Sequence, residues 1–221
     1  SFIDFDDDFS LTPSSRIIIE DDGCGMDENI LKKHWLNPAT PDKLKRKEIN
    51  PKTEKGRILQ GEKGIGRFAI FKLGRTIKIT TRRQTQDING HFIDSGEPKE
   101  NILYYDFSRY DDNFLEENGT EKELYLDNLI VELSENKPEK IVVTEIVLGT
   151  TKRKRKPYGT IIEISNLKAD WTTARVERVQ KEIGKLQPIF EKEESADFSV
   201  WIYKDGDLHE AQERYKEKLQ N

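Results

Sequence analysis

The chain has 221 residues with 37 Lys or Arg, 42 Asp or Glu and a net charge of -5, and 34% of its residues are hydrophobic. So small a net charge, with that hydrophobic content, predicts a folded protein and excludes a disordered one, and the length allows one large domain or one and a half. No apolar run approaches the ~20 residues that cross a bilayer, and the single cysteine excludes an intramolecular disulfide. These features favour a cytoplasmic protein, and the acidic balance argues against nucleic-acid binding over the whole surface.

The first half of the chain predicts strands and short helices around two glycine clusters. Residues 1–15 are acidic and have no helical pattern, so we expect the chain to enter partway through a domain. Prolines and many basic residues predict a long loop between the two clusters. The expected elements are, in chain order, a strand at Arg16–Glu20, a helix capped by Asp27, a loop over 37–60, a helix over Ile65–Leu73 and a strand at Thr76–Thr81.

The second half alternates strand and helix patterns, so the predicted class is α/β or α+β. A variable insertion occupies residues 84–157. The basic run Lys152–Lys156 predicts either a solvated hairpin tip or a contact for nucleic-acid phosphates. The expected elements are strands at Ile102–Phe107, Asn128–Leu133, Ile141–Leu148, Gly159–Ser165 and Phe198–Tyr203, and helices over Val176–Leu186 and Leu208–Leu219.

The two glycine clusters carry the chemistry. Asp21-x-Gly23-x-Gly25 alone is compatible with a simple strand-to-helix turn. Gly61-x-x-Gly64-x-Gly66, however, opens a helix, where glycines let backbone N–H groups approach an anion and the helix dipole favours a phosphate. The cluster is not a Walker loop, because Glu62-Lys63 stands where Lys followed by Ser or Thr is required. Its glycine spacing does not fit a dinucleotide-binding fold either.

The two clusters and the strand opening at Gly159-Thr160 together resemble three sequence motifs of the GHKL ATPases, over about residues 16–165. This superfamily contains DNA gyrase B, the ninety-kilodalton heat-shock chaperones, histidine kinases, and MutL with its MORC relatives. The segments Trp35-Leu36 and Gly-Glu-Lys-Gly-Ile-Gly-Arg-Phe-Ala, which starts at Gly61, most resemble those of bacterial MutL- and MORC-like proteins. The resemblance implies an ATP-binding domain over 1–190 that is an α/β two-layer sandwich, with a mixed sheet and helices on one face. It also implies a lid at about 37–60, and a strand and helix at 191–221 that lead to a following domain.

The resemblance implies a role for each residue of the site. Asp21 would accept a hydrogen bond from the adenine amino group, Thr160 would join it through a hydroxyl and a water, and Met26 would pack on the base. Lys63 or Arg67 would neutralise the γ-phosphate, although Lys63 is equally an ordinary solvated lysine. Cys24 is expected to be a small buried filler rather than a nucleophile. The full set of candidate ligand-binding residues is Asp21, Gly23, Gly25, Met26, Gly61, Lys63, Gly64, Ile65, Gly66, Arg67, Phe68 and Thr160.

One part of the family pattern is missing from these residues. The resemblance implies a helix ahead of the first strand, with a general-base Glu and a magnesium-binding Asn, but residues 1–15 contain neither. We therefore name no catalytic or metal-binding residue. We expect residues 1–221 alone to bind nucleotide weakly and to hydrolyse ATP no faster than background.

The function implied is ATP binding with Mg²⁺, in which closure of the lid drives homodimerisation or an effector domain. The alternative is a scaffold or sensor that binds adenine nucleotides without hydrolysis. A histidine kinase is disfavoured, because none of His34, His91 and His209 lies on an evident dimerisation helix.

Overall fold

A computed structural model of the protein describes residues 1–36, 65–108, 116–117, 120–121, 131–148, 151–184 and 200–209. Its strands are β1 Phe2–Ile3, β2 Arg16–Asp21, β3 Gly74–Arg82, β4 Gln84–Gln86, β5 Phe92–Gly96, β6 Glu100–Asp106, β7 Glu116–Glu117, β8 Thr120–Glu121, β9 Val131–Asn136, β10 Glu145–Leu148, β11 Thr151–Lys154, β12 Gly159–Leu167, β13 Tyr203–Lys204 and β14 Asp207–Leu208. Its helices are α1 Glu28–Ile30, which continues as a π-helix over Leu31–Trp35, the 3-10 helix α2 Ile65–Lys72, and α3 Thr173–Gly184.

Eight of these strands form one mixed sheet in the order β14-β13-β1-β2-β12-β3-β6-β9. β1 pairs with β13 in parallel, and the pairs from β2 through β9 are antiparallel. The predicted α/β class is therefore confirmed. Within the described residues, no helix is long and apolar enough to cross a membrane.

Hydrophobic side chains cross the sheet in rows because directly paired residues share a face. The two rows are Ile17, Ile164, Ile77, Tyr105 and Val131, and Ile19, Ile162, Ile79, Leu103 and Leu133. Ile77, Ile79 and Leu103 are fully buried, and each such burial stabilises the fold by roughly 1.5–3 kcal/mol. The central strands therefore anchor the domain.

The helices cover this same face. Leu31 of the π-helix, Ile70 of α2 and Val176 of α3 all join the core that contains Ile77 and Ile79. Helix α1 begins where predicted, since the Oδ1 atom of Asp27 accepts a hydrogen bond from the Ile30 N–H at 2.7 Å.

The opposite face is covered at one end by the turn that precedes β10. Ile141 in this turn is fully buried, and its backbone N–H donates to the Glu100 carboxylate at 2.7 Å. The Arg82 guanidinium donates to the Ile141 carbonyl at 3.0 Å. The expected strand over Ile141–Leu148 is wrong in its first half for this reason: side-chain hydrogen bonds hold the backbone in a turn, and the strand starts at Glu145.

Three other sequence predictions need correction. The basic run is not a hairpin tip, because Thr151–Lys154 forms a strand that pairs antiparallel with β10. The strand expected at Phe198–Tyr203 lies at Tyr203–Lys204 instead, and Leu208 belongs to β14 rather than to a helix. The N-terminal segment supplies β1 and buries Phe2, Phe5 and Phe9. The predictions made for residues 37–60, 185–199 and 210–221 lie outside the described residues.

Candidate functional site

A polar row replaces the hydrophobic rows at one end of the sheet. Asp21 of β2 pairs with Thr160 of β12, and Thr160 pairs with Thr81 of β3. Thr81 pairs in turn with Asn101 of β6. By the alternation of each strand, these side chains lie on the helix-bearing face, one step beyond the Ile79 row. A carboxylate, two hydroxyls and an amide are thus aligned across four strands.

Thr81 is the centre of the hydrogen bonding in this row. Its fully buried hydroxyl accepts the Met26 N–H at 2.9 Å and lies 3.1 Å from the Gly159 carbonyl and 3.2 Å from the Thr160 hydroxyl. A hydroxyl has a single proton to donate. When that proton goes to the Gly159 carbonyl, the Thr160 hydroxyl is the donor to Thr81 and keeps its own lone pairs for a water or a ligand.

The loop after β2 is held tightly against the end of β3. Gly25 has a φ of +62°, and a Cβ atom there would lie 1.9 Å from the Arg82 carbonyl oxygen. The Gln84 N–H donates to the Cys24 carbonyl at 2.8 Å, and Arg83 forms an ion pair with Asp27. The glycine at position 25 is thus required by both its backbone angle and the close approach of β3.

The Asp21 carboxylate has one oxygen engaged and one free. Oδ1 accepts the Gly23 N–H at 2.9 Å, while Oδ2 has no hydrogen-bond partner among the described residues. Desolvation by the surrounding protein raises the pKa of Asp21, although the residue is exposed to solvent. The Gly23 hydrogen bond opposes that shift and the charge of Asp22 adds to it. Asp21 is exposed, so its free oxygen is available to accept a hydrogen bond from a ligand.

The structure brings together one half of the predicted site. Asp21, Gly23, Gly25, Met26 and Thr160 meet at this sheet end, and Met26 is half-buried against the core. The backbone of Ile65, Gly66, Arg67 and Phe68 forms the first turn of α2. Gly61, Lys63 and Gly64 lie outside the described residues.

Two residues of the row were not predicted from the sequence. Thr81 ends an alternating strand two positions after Ile79, so its position on the core face could have been derived from that alternation. Asn101 is 1% exposed and its Oδ1 atom has no partner in the part of the chain that the structure describes. Cys24 is exposed rather than buried, because its loop lies at the surface, which corrects the prediction.

The basic run is largely neutralised by carboxylates. Lys152 pairs with Glu145, Arg153 with Asp22, Arg155 with Glu20 and Lys156 with Asp94. The hypothesis of a nucleic-acid contact therefore gains no support. In the described ranges there is also no group of three or more His, Cys, Asp or Glu side chains that could hold a metal ion.

The fold is a two-layer α/β sandwich with a row of polar side chains at the end of its central strands. The family model for histidine kinase-, DNA gyrase B- and HSP90-like ATPases matches residues 3–117, just over half of the chain. The chain therefore belongs to this family, the GHKL ATPases, and is an ATP-binding domain by that membership. No curated protein sequence matches it. Thr160 lies beyond the matched range, so its place beside Asp21 comes from the sheet register.

Proposed function

We propose that the polar row reads the adenine base of ATP. The observation that carries this proposal is the free Oδ2 atom of Asp21, which lies in register with Thr160. The amino group of adenine is a donor and suits a carboxylate acceptor, whereas guanine presents an acceptor at the same position and would leave Asp21 unpaired. Gly23 and Gly25 leave room for the base, and Met26 supplies an apolar surface beside it.

The phosphates would bind at the N-terminal end of α2. Gly61, Gly64 and Gly66 are the residues proposed to wrap them, with Lys63 or Arg67 as the cationic partner and Ile65 and Phe68 fixing the helix that follows. This assignment is supported by the glycine spacing and by the helix that begins at Ile65. Mg²⁺ would accompany the phosphates and neutralise part of their charge.

We further propose that nucleotide binding orders a lid at about 37–60 and thereby drives homodimerisation or an effector domain, as in the MutL and chaperone branches of the superfamily. Its support is the sequence of these residues, which combines prolines and lysines with few apolar anchors. Residues 1–190 would form the ATP-binding domain and 191–221 the link to a following domain. The second candidate is a sensor that binds adenine nucleotides without hydrolysis.

The test of base recognition is a titration of the 221-residue chain with ATP, ADP and GTP up to millimolar concentration, by calorimetry or NMR. ATP and ADP should bind measurably and GTP more weakly. Equal affinity for ATP and GTP would contradict adenine recognition. Magnesium-dependent phosphate release is the companion measurement, and we expect none above background. Turnover would favour the hydrolysing candidate and make Glu20, Asp22 and Glu62 the next residues to substitute.

The test of the lid is limited proteolysis. Cleavage within residues 37–60 should be rapid without nucleotide and should be slowed by a non-hydrolysable ATP analogue more than by ADP. Cleavage at the same rate in all three states would contradict a lid that closes on the γ-phosphate.

A further inference from the structure

Two arginines from one hairpin bracket the residue proposed to read adenine. The end of β2 carries three consecutive carboxylates, Glu20, Asp21 and Asp22. The Arg153 guanidinium donates to the Asp22 carboxylate at 2.7 Å, and the Arg155 guanidinium donates to the Glu20 carboxylate. The two neighbours of Asp21 are thus paired with cations, whereas Asp21 forms no ion pair among the described residues.

The charged side chain of Arg155 lies in an unusually buried position. The residue is 6% exposed, its Nε atom has no hydrogen-bond partner in the described structure, and burial lowers the pKa of its guanidinium. Removing a guanidinium from water is costly, and a single ion pair with a half-exposed Glu20 offsets only part of that cost. A buried arginine in a hairpin otherwise exposed along β11 suggests a role beyond stabilising the fold.

The hairpin is itself anchored on its other side. The Tyr203 hydroxyl of β13 donates to the Val147 carbonyl at 2.9 Å, and the Arg155 N–H donates to the Thr144 carbonyl at 2.7 Å. Lys152 pairs with Glu145 inside the hairpin and does not contact β2. The two arginines therefore extend from a fixed support to the end of β2.

We propose that Arg153 and Arg155 are positioning residues for base recognition: they hold the end of β2 and neutralise its two outer carboxylates, so that Asp21 alone presents a free acceptor to the base. This inference rests on the proposed function of Asp21. By strand alternation, Glu20 faces away from Asp21, so Arg155 fixes β2 from the face opposite the ligand. Arg153 neutralises the charge of Asp22, which would otherwise repel the neighbouring Asp21 carboxylate.

The experiment uses four variants of the 221-residue chain: Arg153→Gln, Arg155→Gln, Arg155→Lys and the control Lys152→Gln. The control removes the same charge from the same hairpin without touching β2. Adenosine and ATP affinities are measured by NMR titration, and thermal melting verifies folding. Arg153→Gln should weaken adenosine and ATP binding by the same factor, about two- to fivefold, since one half-exposed ion pair is lost. Arg155→Gln should weaken binding more, Arg155→Lys should restore most of it, and Lys152→Gln should match the parent.

A double-mutant cycle with Asp21→Asn separates positioning from a general loss of structure. When Arg153 acts through Asp21, Arg153→Gln has no further effect on nucleotide affinity in the Asp21→Asn background. A persistent effect there would overturn the proposal. A loss confined to ATP would also overturn it, since adenosine lacks the phosphates, and so would parental affinity in Arg153→Gln. When Arg155→Gln fails to fold, Arg153→Gln and its cycle decide alone.

The same measurements distinguish this inference from the proposed function. Weaker adenosine binding by Asp21→Asn with parental binding by Arg153→Gln would leave adenine recognition standing and refute the role of the arginines. Parental adenosine binding by Asp21→Asn would refute adenine recognition by Asp21, and the positioning role with it.

Discussion

The substitution Asp21→Asn should change which base the site accepts, because the Gly23 N–H fixes the orientation of the new side chain. In the parent, Oδ1 accepts that N–H at 2.9 Å and Oδ2 is free. An asparagine must use its carbonyl oxygen for the same hydrogen bond, so its Nδ2 amino group takes the place of Oδ2. A donor then faces the ligand where an acceptor stood before.

The size of the effect follows from the kind of hydrogen bond that is lost. A hydrogen bond to a charged group contributes about 1.5–3 kcal/mol, which corresponds to roughly 10- to 150-fold in affinity for ATP. The carbonyl oxygen of guanine is an acceptor and suits the new Nδ2 donor. The ratio of ATP to GTP affinity should therefore fall by at least about tenfold.

Calorimetric titration of parent and Asp21→Asn with ATP and GTP measures both quantities. Asp106→Asn is the matched control, because Asp106 ends β6 and its Oδ1 atom likewise accepts the N–H two residues on, that of Ser108, at 2.8 Å. It should leave nucleotide binding unchanged. An Asp21→Asn protein with the parental ratio of ATP to GTP affinity would refute the assignment of Asp21 to the base.

Three further predictions concern the same loop. The folded-state pKa of Asp21 is raised above its ordinary 3.8, so ionisation of Asp21 lowers the stability of the parent as pH rises through that raised value. Asp21→Asn should therefore gain stability relative to the parent between about pH 4 and neutrality. Thermal melts across that range that showed a loss of stability would contradict the shift. Gly25→Ala should destabilise the protein by more than about 2 kcal/mol in denaturant unfolding, because the αL backbone and the contact with the Arg82 carbonyl both oppose a Cβ atom. The control Gly90→Ala should cost less, because Gly90 has a φ of +82° but no atom within 4 Å of a Cβ. Cys24 is exposed and is the only cysteine in the sequence, so bound ATP should slow its alkylation, and equal rates with and without saturating ATP would argue against a ligand beside this loop.

The strands that build the site could be predicted because their patterns are local. Ile17, Ile18 and Ile19 form a β-branched run, and Gly159 opens an alternating strand, so β2 and β12 were both expected. Thr81 was missed as a site residue, since its role depends on hydrogen bonds to Met26 and Thr160, which are distant in sequence. No periodicity specifies such partners.

The strand β11 within the basic run was not predicted, for a physical reason. Lys is depleted in strands, so the run Lys152–Lys156 indicated the tip of a hairpin rather than one of its strands. In the fold, its strand is stabilised by the ladder with Glu145–Leu148 and by carboxylates on other elements, including Glu20, Asp22 and Asp94. Ion pairs of this kind join residues far apart in the chain, and a single sequence does not state which charges will meet.

The hydrogen bonds around Thr81 also bear on how the protein is made. Thr81 is separated from Met26 by 55 positions and from Thr160 by 79. Contacts between distant residues form slowly, because the intervening chain must lose its conformational freedom first. During synthesis, the carboxylate of β2 and the hydroxyl of β12 cannot meet until β12 has left the ribosome. A nascent chain that stops before Gly159 would therefore lack Thr160 and with it the complete polar row. Capture on an immobilised adenine nucleotide would select chains in which the whole central sheet has formed.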